Sequence, residues 1–78
     1  MTFSEIVMDS YRACCEKVAG WRSNYDHDLP TDCMIAEDII DNYKDYKDVD
    51  VSDPIKYNNW LSTVRIELNH LGVEYVNE

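Results

Sequence analysis

Apolar residues recur with the period of an α-helix in three stretches of this chain, and that repeat most constrains its fold. In the first stretch the stripe advances by 4, 3, 4, 3 and 4 residues, so its members share one helix face. Thr2 and Glu5 precede it with the spacing of a capping box. The pattern predicts a first helix that begins at Thr2 and ends near Ser23. Its stripe is Val7, Tyr11, Cys14, Val18, Trp21 and Tyr25.

The second stretch predicts a helix that begins after Thr31. Thr31 is a good N-cap, and Asp32 places a negative charge at the positive end of the helix dipole. Lys44 and Lys47 suit the last turn, so we expect the helix to end close to Lys47. Its apolar face is Ile35, Ala36, Ile39, Ile40, Tyr43 and Tyr46.

The third stretch has clear signals at both ends. Asp53 is an acceptor at the N-cap, Pro54 follows at the first helical position, and Gly72 suits the left-handed residue after the last turn. The apolar stripe between them is Tyr57, Leu61, Val64, Leu68 and Leu71. A chain of 78 residues makes one domain.

Aspartate and valine alternate through residues 48–52, a pattern typical of a short edge strand or an extended linker. The segment after Gly72 also contains residues that suit a strand. The fold expected is therefore a mainly α, compact three-helix domain over residues 1–78. A short two-stranded β element around 49–51 and 73–76 is an optional addition to it.

Charge is concentrated in the middle third of the chain. Residues 24–53 hold ten acids and two bases, which leaves −8 of the total net charge of −9 in this segment. Clustered like charges repel one another and disfavour compact folding, so a segment that keeps them often presents them to a partner. The concentration favours a binding function.

The predicted second helix arranges several of these acids in a row. Asp38, Asp41, Asp45 and Asp48 follow at spacings of 3, 4 and 3, which puts them on one solvent face. From Glu37 to Asp48 this gives about one carboxylate per 3–4 Å, close to the phosphate spacing of about 3.4 Å along a DNA strand. We therefore predict a partner-binding surface for a basic protein, with Tyr43 and Tyr46 as exposed anchors. Its acids are Glu37, Asp38, Asp41, Asp45, Asp48 and Asp50.

An ordinary solvated face is the competing interpretation, because Lys44 and Lys47 lie among the acids and partly neutralise them.

The sequence offers little for metal binding or catalysis. Residues 48–59 begin like a calcium loop but lack its glycine and its final glutamate. Cys14 and Cys15 are adjacent, whereas zinc sites space their cysteines by two to four residues. We expect no metal, no cofactor and no enzymatic activity.

Compartment and partners follow from composition. Three cysteines cannot form a closed set of disulfides, which favours a reducing compartment. Neither a signal peptide nor a long apolar run is evident. We expect a cytoplasmic protein that does not bind membranes. Seven bases against sixteen acids are too few for direct binding of nucleic acid.

In size, acidity and lack of catalytic motifs, the chain resembles the small inhibitors encoded by phages and mobile elements, including anti-CRISPR and anti-restriction DNA mimics. The resemblance is one of composition over the whole chain and assigns no individual residue. It implies a target in the host cytoplasm, a nucleic-acid-handling protein whose basic surface is blocked. Two alternatives stay open: a regulatory or adaptor module that binds through an apolar groove, and a homodimer built on the first helix.

Overall fold

Three α-helices account for most of the molecule, as the sequence predicts. A computed structural model describes residues 2–20 and 29–77. Within these residues the order of elements is α1 (Phe3–Gly20), α2 (Asp32–Asn42), a 3-10 helix (Lys44–Tyr46) and α3 (Pro54–Leu71). Each α-helix packs against the other two. The mainly α three-helix architecture is confirmed.

The core lies where the inner faces of the three helices meet. The residues that build it are largely the apolar stripes predicted from the sequence, because burial of one such side chain contributes about 1.5–3 kcal/mol. Trp60 closes one end of the core, and its indole N–H donates a hydrogen bond to the carbonyl oxygen of Ala36 at 3.1 Å. The fully buried apolar members are Val7, Cys14, Val18, Ile35, Ala36, Ile39, Val64 and Leu68.

The predicted helix ends are confirmed at four places. Thr2 and Glu5 form the reciprocal capping box, with both backbone-to-side-chain distances at 3.2 Å. Thr31 accepts a hydrogen bond from the backbone amide three residues later, and Asp53 caps α3 in the same way. Gly72 ends α3 with a φ of 72°, a conformation that costs glycine little.

The second helix is shorter than the sequence predicts. It ends at Asn42 because Tyr43 adopts an extended conformation (φ −120°, ψ 116°), and a single 3-10 turn follows. Lys44 and Lys47 therefore do not lie in its last turn. The break lets the Tyr46 ring pack against both Phe3 and Trp60, with centroid distances of 5.8 and 5.2 Å. Tertiary packing of an aromatic ring outweighs the local preference for helix.

The optional β element between residues 49–51 and 73–76 is wrong. Val49 and Asp50 lie without regular structure between turns at 47–48 and 51–52, and Val76 instead makes an isolated parallel bridge with Thr31. The Val76 amide donates to the carbonyl of Pro30 at 2.9 Å, and the Asp32 amide donates to the carbonyl of Val76 at 3.0 Å. The chain after α3 thus contacts the start of α2, where backbone groups need partners.

The end of α1 marks the edge of the described residues. The predicted continuation to Ser23, and the stripe positions Trp21 and Tyr25, lie outside them. None of the described helices is long and apolar enough to cross a membrane.

Replacement of a core isoleucine tests this packing. Ile39→Ala removes a fully buried side chain and should lower the free energy of unfolding by about 2–5 kcal/mol. Val51→Ala is the matched control, since Val51 is 54% exposed and its loss should change stability by less than about 0.5 kcal/mol. Urea denaturation followed by circular dichroism measures both. Equal costs for the two variants would contradict the assigned core.

Candidate functional site

The outer face of α2 presents two carboxylates to solvent. Ile35 and Ile39 turn the inner face into the core, so the opposite side of this helix is exposed. Glu37 and Asp41 lie there, one helical turn apart, which is about 6 Å along the axis. Both side chains are exposed.

Three more exposed acids follow α2. Asp45 belongs to the 3-10 helix, and Asp48 and Asp50 lie in the segment that leads to α3. Asp50 accepts hydrogen bonds from the hydroxyl and the amide of Ser52 at 2.6 and 3.0 Å, and these bonds lower the pKa of its carboxyl. We call the set Glu37, Asp41, Asp45, Asp48 and Asp50 the acidic surface.

Neighbouring lysines compensate the charge of this surface only in part. Lys44 and Lys47 are exposed beside it, but within residues 2–20 and 29–77 neither makes a salt bridge with an acid. The side-chain ion pairs found there join Lys17 to Asp38 and Arg65 to Asp32. Lys17 and Arg65 are thus paired with buried acids, whereas the acids of the acidic surface have no salt-bridge partner among the described residues.

Asp38 does not belong to the exposed row, contrary to prediction. Its side chain is only 6% exposed, and it accepts hydrogen bonds from the Ser10 hydroxyl at 2.6 Å and the Lys17 ammonium at 3.0 Å. The Asn42 side-chain amide adds a third at 3.0 Å. Position 38 follows Ile35 by three residues, which turns it toward α1. The predicted unbroken row from Glu37 to Asp48 is therefore wrong, both here and where α2 ends.

The Lys17–Asp38 pair joins α1 to α2. The hydrogen bond to Asp38 raises the pKa of the Lys17 ammonium, which is itself 49% exposed. A buried carboxylate needs such partners, because an unpaired charge away from water is costly. Asp38 is thus a structural acid that is held by side chains of α1 and α2.

Asp32 is a second structural acid. The sequence assigns it to the helix dipole, yet its side chain is fully buried and bonds to the guanidinium of Arg65 on α3. This bond raises the pKa of Arg65. The carboxylate also accepts from the amide of Cys33 at 2.8 Å. It therefore links α2 to α3 as Asp38 links α2 to α1.

Tyr43 and Tyr46 are half-buried and therefore less available than predicted. The Tyr43 hydroxyl donates to Asp9 on α1 at 2.7 Å, and this bond raises the pKa of the phenol to about 12. Tyr46 belongs to the aromatic cluster with Phe3 and Trp60. Both rings hold the segment after α2 against the core, so the prediction that they are exposed is wrong.

Two apolar side chains, Ile40 and Val51, lie beside the acids. A shallow groove of about 270 Å³ is lined by Glu37, Ile40, Asp41 and Val51. Val51 is 54% exposed. Its proximity to Glu37 depends on the turn after α2, which no local pattern predicts. The groove combines negative charge with an apolar wall.

Metal-ligating side chains are dispersed in the described part of the chain. Among residues 2–20 and 29–77, no three His, Cys, Asp or Glu side chains are grouped closely enough to hold a metal ion. Cys14 is buried, and burial raises the pKa of its thiol to about 11. At neutral pH that thiol is protonated and a weak nucleophile.

Comparison with protein-family models, curated proteins and solved structures found no match.

Two conservative substitutions separate the structural acid from an exposed one. Asp38→Asn removes the charge that Lys17 and Ser10 bond to and should lower the free energy of unfolding by about 1–3 kcal/mol. Asp41→Asn makes the same chemical change at an exposed site and should shift it by less than about 0.5 kcal/mol. Chemical denaturation measures both. A harmless Asp38→Asn would show that the buried pair contributes little.

Alkaline pH should destabilise the fold. The pKa values of Cys14 (about 11), Tyr11 and Tyr43 (about 12 each) lie above their ordinary values of 9.0 and 10.0. Burial is the main cause for Cys14 and Tyr11, and the bond to Asp9 for Tyr43. In the unfolded chain these groups lose protons first, so stability is complete below pH 9 and falls as pH rises toward 11 and 12.

Urea midpoints measured across this pH range test the expectation, with absorbance at 295 nm reporting phenol ionisation. Tyr43→Phe is the control variant, because it removes one phenol whose pKa is raised in the folded chain. Its stability should fall less steeply with pH than that of the parent chain. A parent midpoint that stays constant up to pH 11 would contradict the assigned environments.

Proposed function

We propose that this chain is a non-enzymatic binding protein that covers a basic, nucleic-acid-binding surface of another protein. The acidic surface makes the contact. In this proposal the chain acts as do the small acidic inhibitors of phages and mobile elements, by occupying a site that DNA or RNA would otherwise fill. The target is a nucleic-acid-handling protein of the host cytoplasm.

The observation that carries the proposal is the selective placement of charge. Lys17 and Arg65 neutralise acids inside the fold, whereas the five carboxylates of the acidic surface point to solvent without a salt bridge among the described residues. Lys44 and Lys47 offset part of this charge, but the acids of the segment outnumber its bases. Concentrated charge of one sign attracts an oppositely charged partner.

Exact phosphate spacing is not required for this mode of binding. Glu37 and Asp41 are about 6 Å apart along α2, since Asp38 between them is turned inward. Basic proteins gain much of their affinity for nucleic acids from the number of charges neutralised and the counterions released. Five carboxylates within one short segment supply that kind of attraction.

The groove beside the acids suits the side chains of a basic surface. Lysine and arginine carry several methylene groups below their charge, and these pack well on apolar atoms. Ile40 and Val51 offer such atoms next to Glu37 and Asp41. A partner rich in arginine or lysine therefore fits better than one rich in acids or in bare apolar surface.

Displacement of nucleic acid tests the proposal. Labelled duplex DNA is bound to purified host nucleic-acid-handling proteins, such as restriction endonucleases and CRISPR effectors, and its release by this chain is followed by fluorescence anisotropy. We expect release from at least one of them. The affinity should fall at least about tenfold between about 50 and 200 mM salt, as for other contacts that depend on charge.

Charge reversal locates the contact. Glu37→Lys combined with Asp41→Lys should weaken displacement about 10–100-fold. Glu16→Lys combined with Glu74→Lys is the matched control, because it alters net charge equally at exposed sites on α1 and after α3. The control should displace nearly as well as the parent. Equal losses in both double variants would mean that net charge alone matters, and the proposed contact would be wrong.

Salt also separates the proposal from the adaptor alternative. A module that binds its partner through an apolar groove should keep its affinity as salt rises. Binding that is insensitive to salt and to the Glu37→Lys and Asp41→Lys changes would therefore favour that alternative.

A further inference from the structure

The outer face of α3 differs from the rest of this acidic molecule. Its exposed positions include no aspartate or glutamate, and the acid that α3 contains, Glu67, is half-buried and accepts a hydrogen bond from Ser4. Two large apolar side chains stand on this face: Ile55 is 73% exposed and Ile66 is 69% exposed. The exposed residues are Pro54, Ile55, Lys56, Asn58, Asn59, Ser62, Thr63, Ile66, Asn69 and His70.

Four of these residues form one line along the helix. Ile55, Asn59, Ser62 and Ile66 follow at spacings of 4, 3 and 4, the interval at which residues meet a partner helix. We call them the α3 stripe.

The α3 stripe is symmetric about its own centre. If a second α3 runs antiparallel across a two-fold axis between residues 60 and 61, Ile55 of one chain faces Ile66 of the other, and Asn59 faces Ser62. Large apolar side chains then meet at both ends, and smaller polar ones meet at the crossing point, where helices approach most closely. A two-fold axis requires this kind of self-complementary surface.

The distribution of charge favours a second copy of the chain as the partner of this face. At −9 per chain, two copies repel one another through any face that carries exposed carboxylates. The α3 face brings none of them to the contact. A basic partner, by contrast, would find no exposed acid there and would prefer the acidic surface.

We propose that this chain forms an antiparallel homodimer in which the α3 stripes of two copies pack together. The proposal is independent of the proposed function, because the acidic surface lies on α2 and the turns after it. One helix of 18 residues, about 27 Å long, gives an interface at the small end of the range for specific complexes. Dissociation constants in the micromolar range or weaker are therefore expected.

Sedimentation equilibrium over chain concentrations from about 10 µM to 1 mM measures this association. The parent chain should dimerise, and more salt should strengthen the dimer by screening the repulsion between the two charged chains. Ile66→Glu places a carboxylate in the contact twice, once for each chain, and should raise the dissociation constant about 100-fold. Ala19→Glu adds the same charge at an exposed site on α1 and should leave the constant within about threefold.

Circular dichroism verifies that both variants keep their helices, as expected for exposed positions. A parent chain that stays monomeric up to the highest concentration at high salt overturns the proposal. The proposal is also overturned if Ile66→Glu leaves the dissociation constant of the dimer unchanged, or if Ala19→Glu raises it as much as Ile66→Glu does.

Disulfide trapping tests the antiparallel arrangement. Chains with Asn59→Cys mixed with chains with Ser62→Cys should form a mixed disulfide severalfold faster than either variant alone, because only the mixed pair brings two thiols face to face. The parent chain controls for its native cysteines. Equal rates in the mixture and in the separate variants would rule out this register.

Discussion

The buried carboxylate of Asp38 determines how this molecule distributes its charge. Lys17 and Ser10 on α1 and Asn42 on α2 surround it, so these bonds stabilise the observed rotation of α2 about its own axis against α1. That rotation places Ile35 and Ile39 inside and Glu37 and Asp41 outside. Asp32 and Arg65 apply the same constraint between α2 and α3. The exposed acids are thus a consequence of which acids are paired within the fold.

Helical periodicity and capping chemistry were enough to predict the three helices. The stripes of α1 and α3, and the caps at Thr2, Thr31 and Asp53, depend on neighbours in sequence, and such local signals survive in the fold. The end of α2 was not predictable in this way. It depends on the Tyr46 ring, which finds Phe3 and Trp60 only once all three helices are packed.

The same limit applies to the candidate site. Asp41, Asp45 and Asp48 are exposed as the spacing predicts, because they lie away from the apolar stripe of α2 or beyond its end. Asp38 could have been questioned from its place three residues after Ile35, but its partner Lys17 is 21 residues away along the chain. A spacing argument treats all acids on a helix alike. Only contacts between helices reveal which of them stabilise the fold.

The parallel bridge between Thr31 and Val76 has a consequence for the motions of this chain. Because the segment after α3 supplies the acceptor for the Asp32 amide and donates to the carbonyl of Pro30, release of that segment also breaks two backbone hydrogen bonds at the start of α2. The two regions are far apart in sequence but should open as one cooperative unit. Their amides would then exchange with deuterium at a common rate, so the last residues report on the order of the helix that carries the charge.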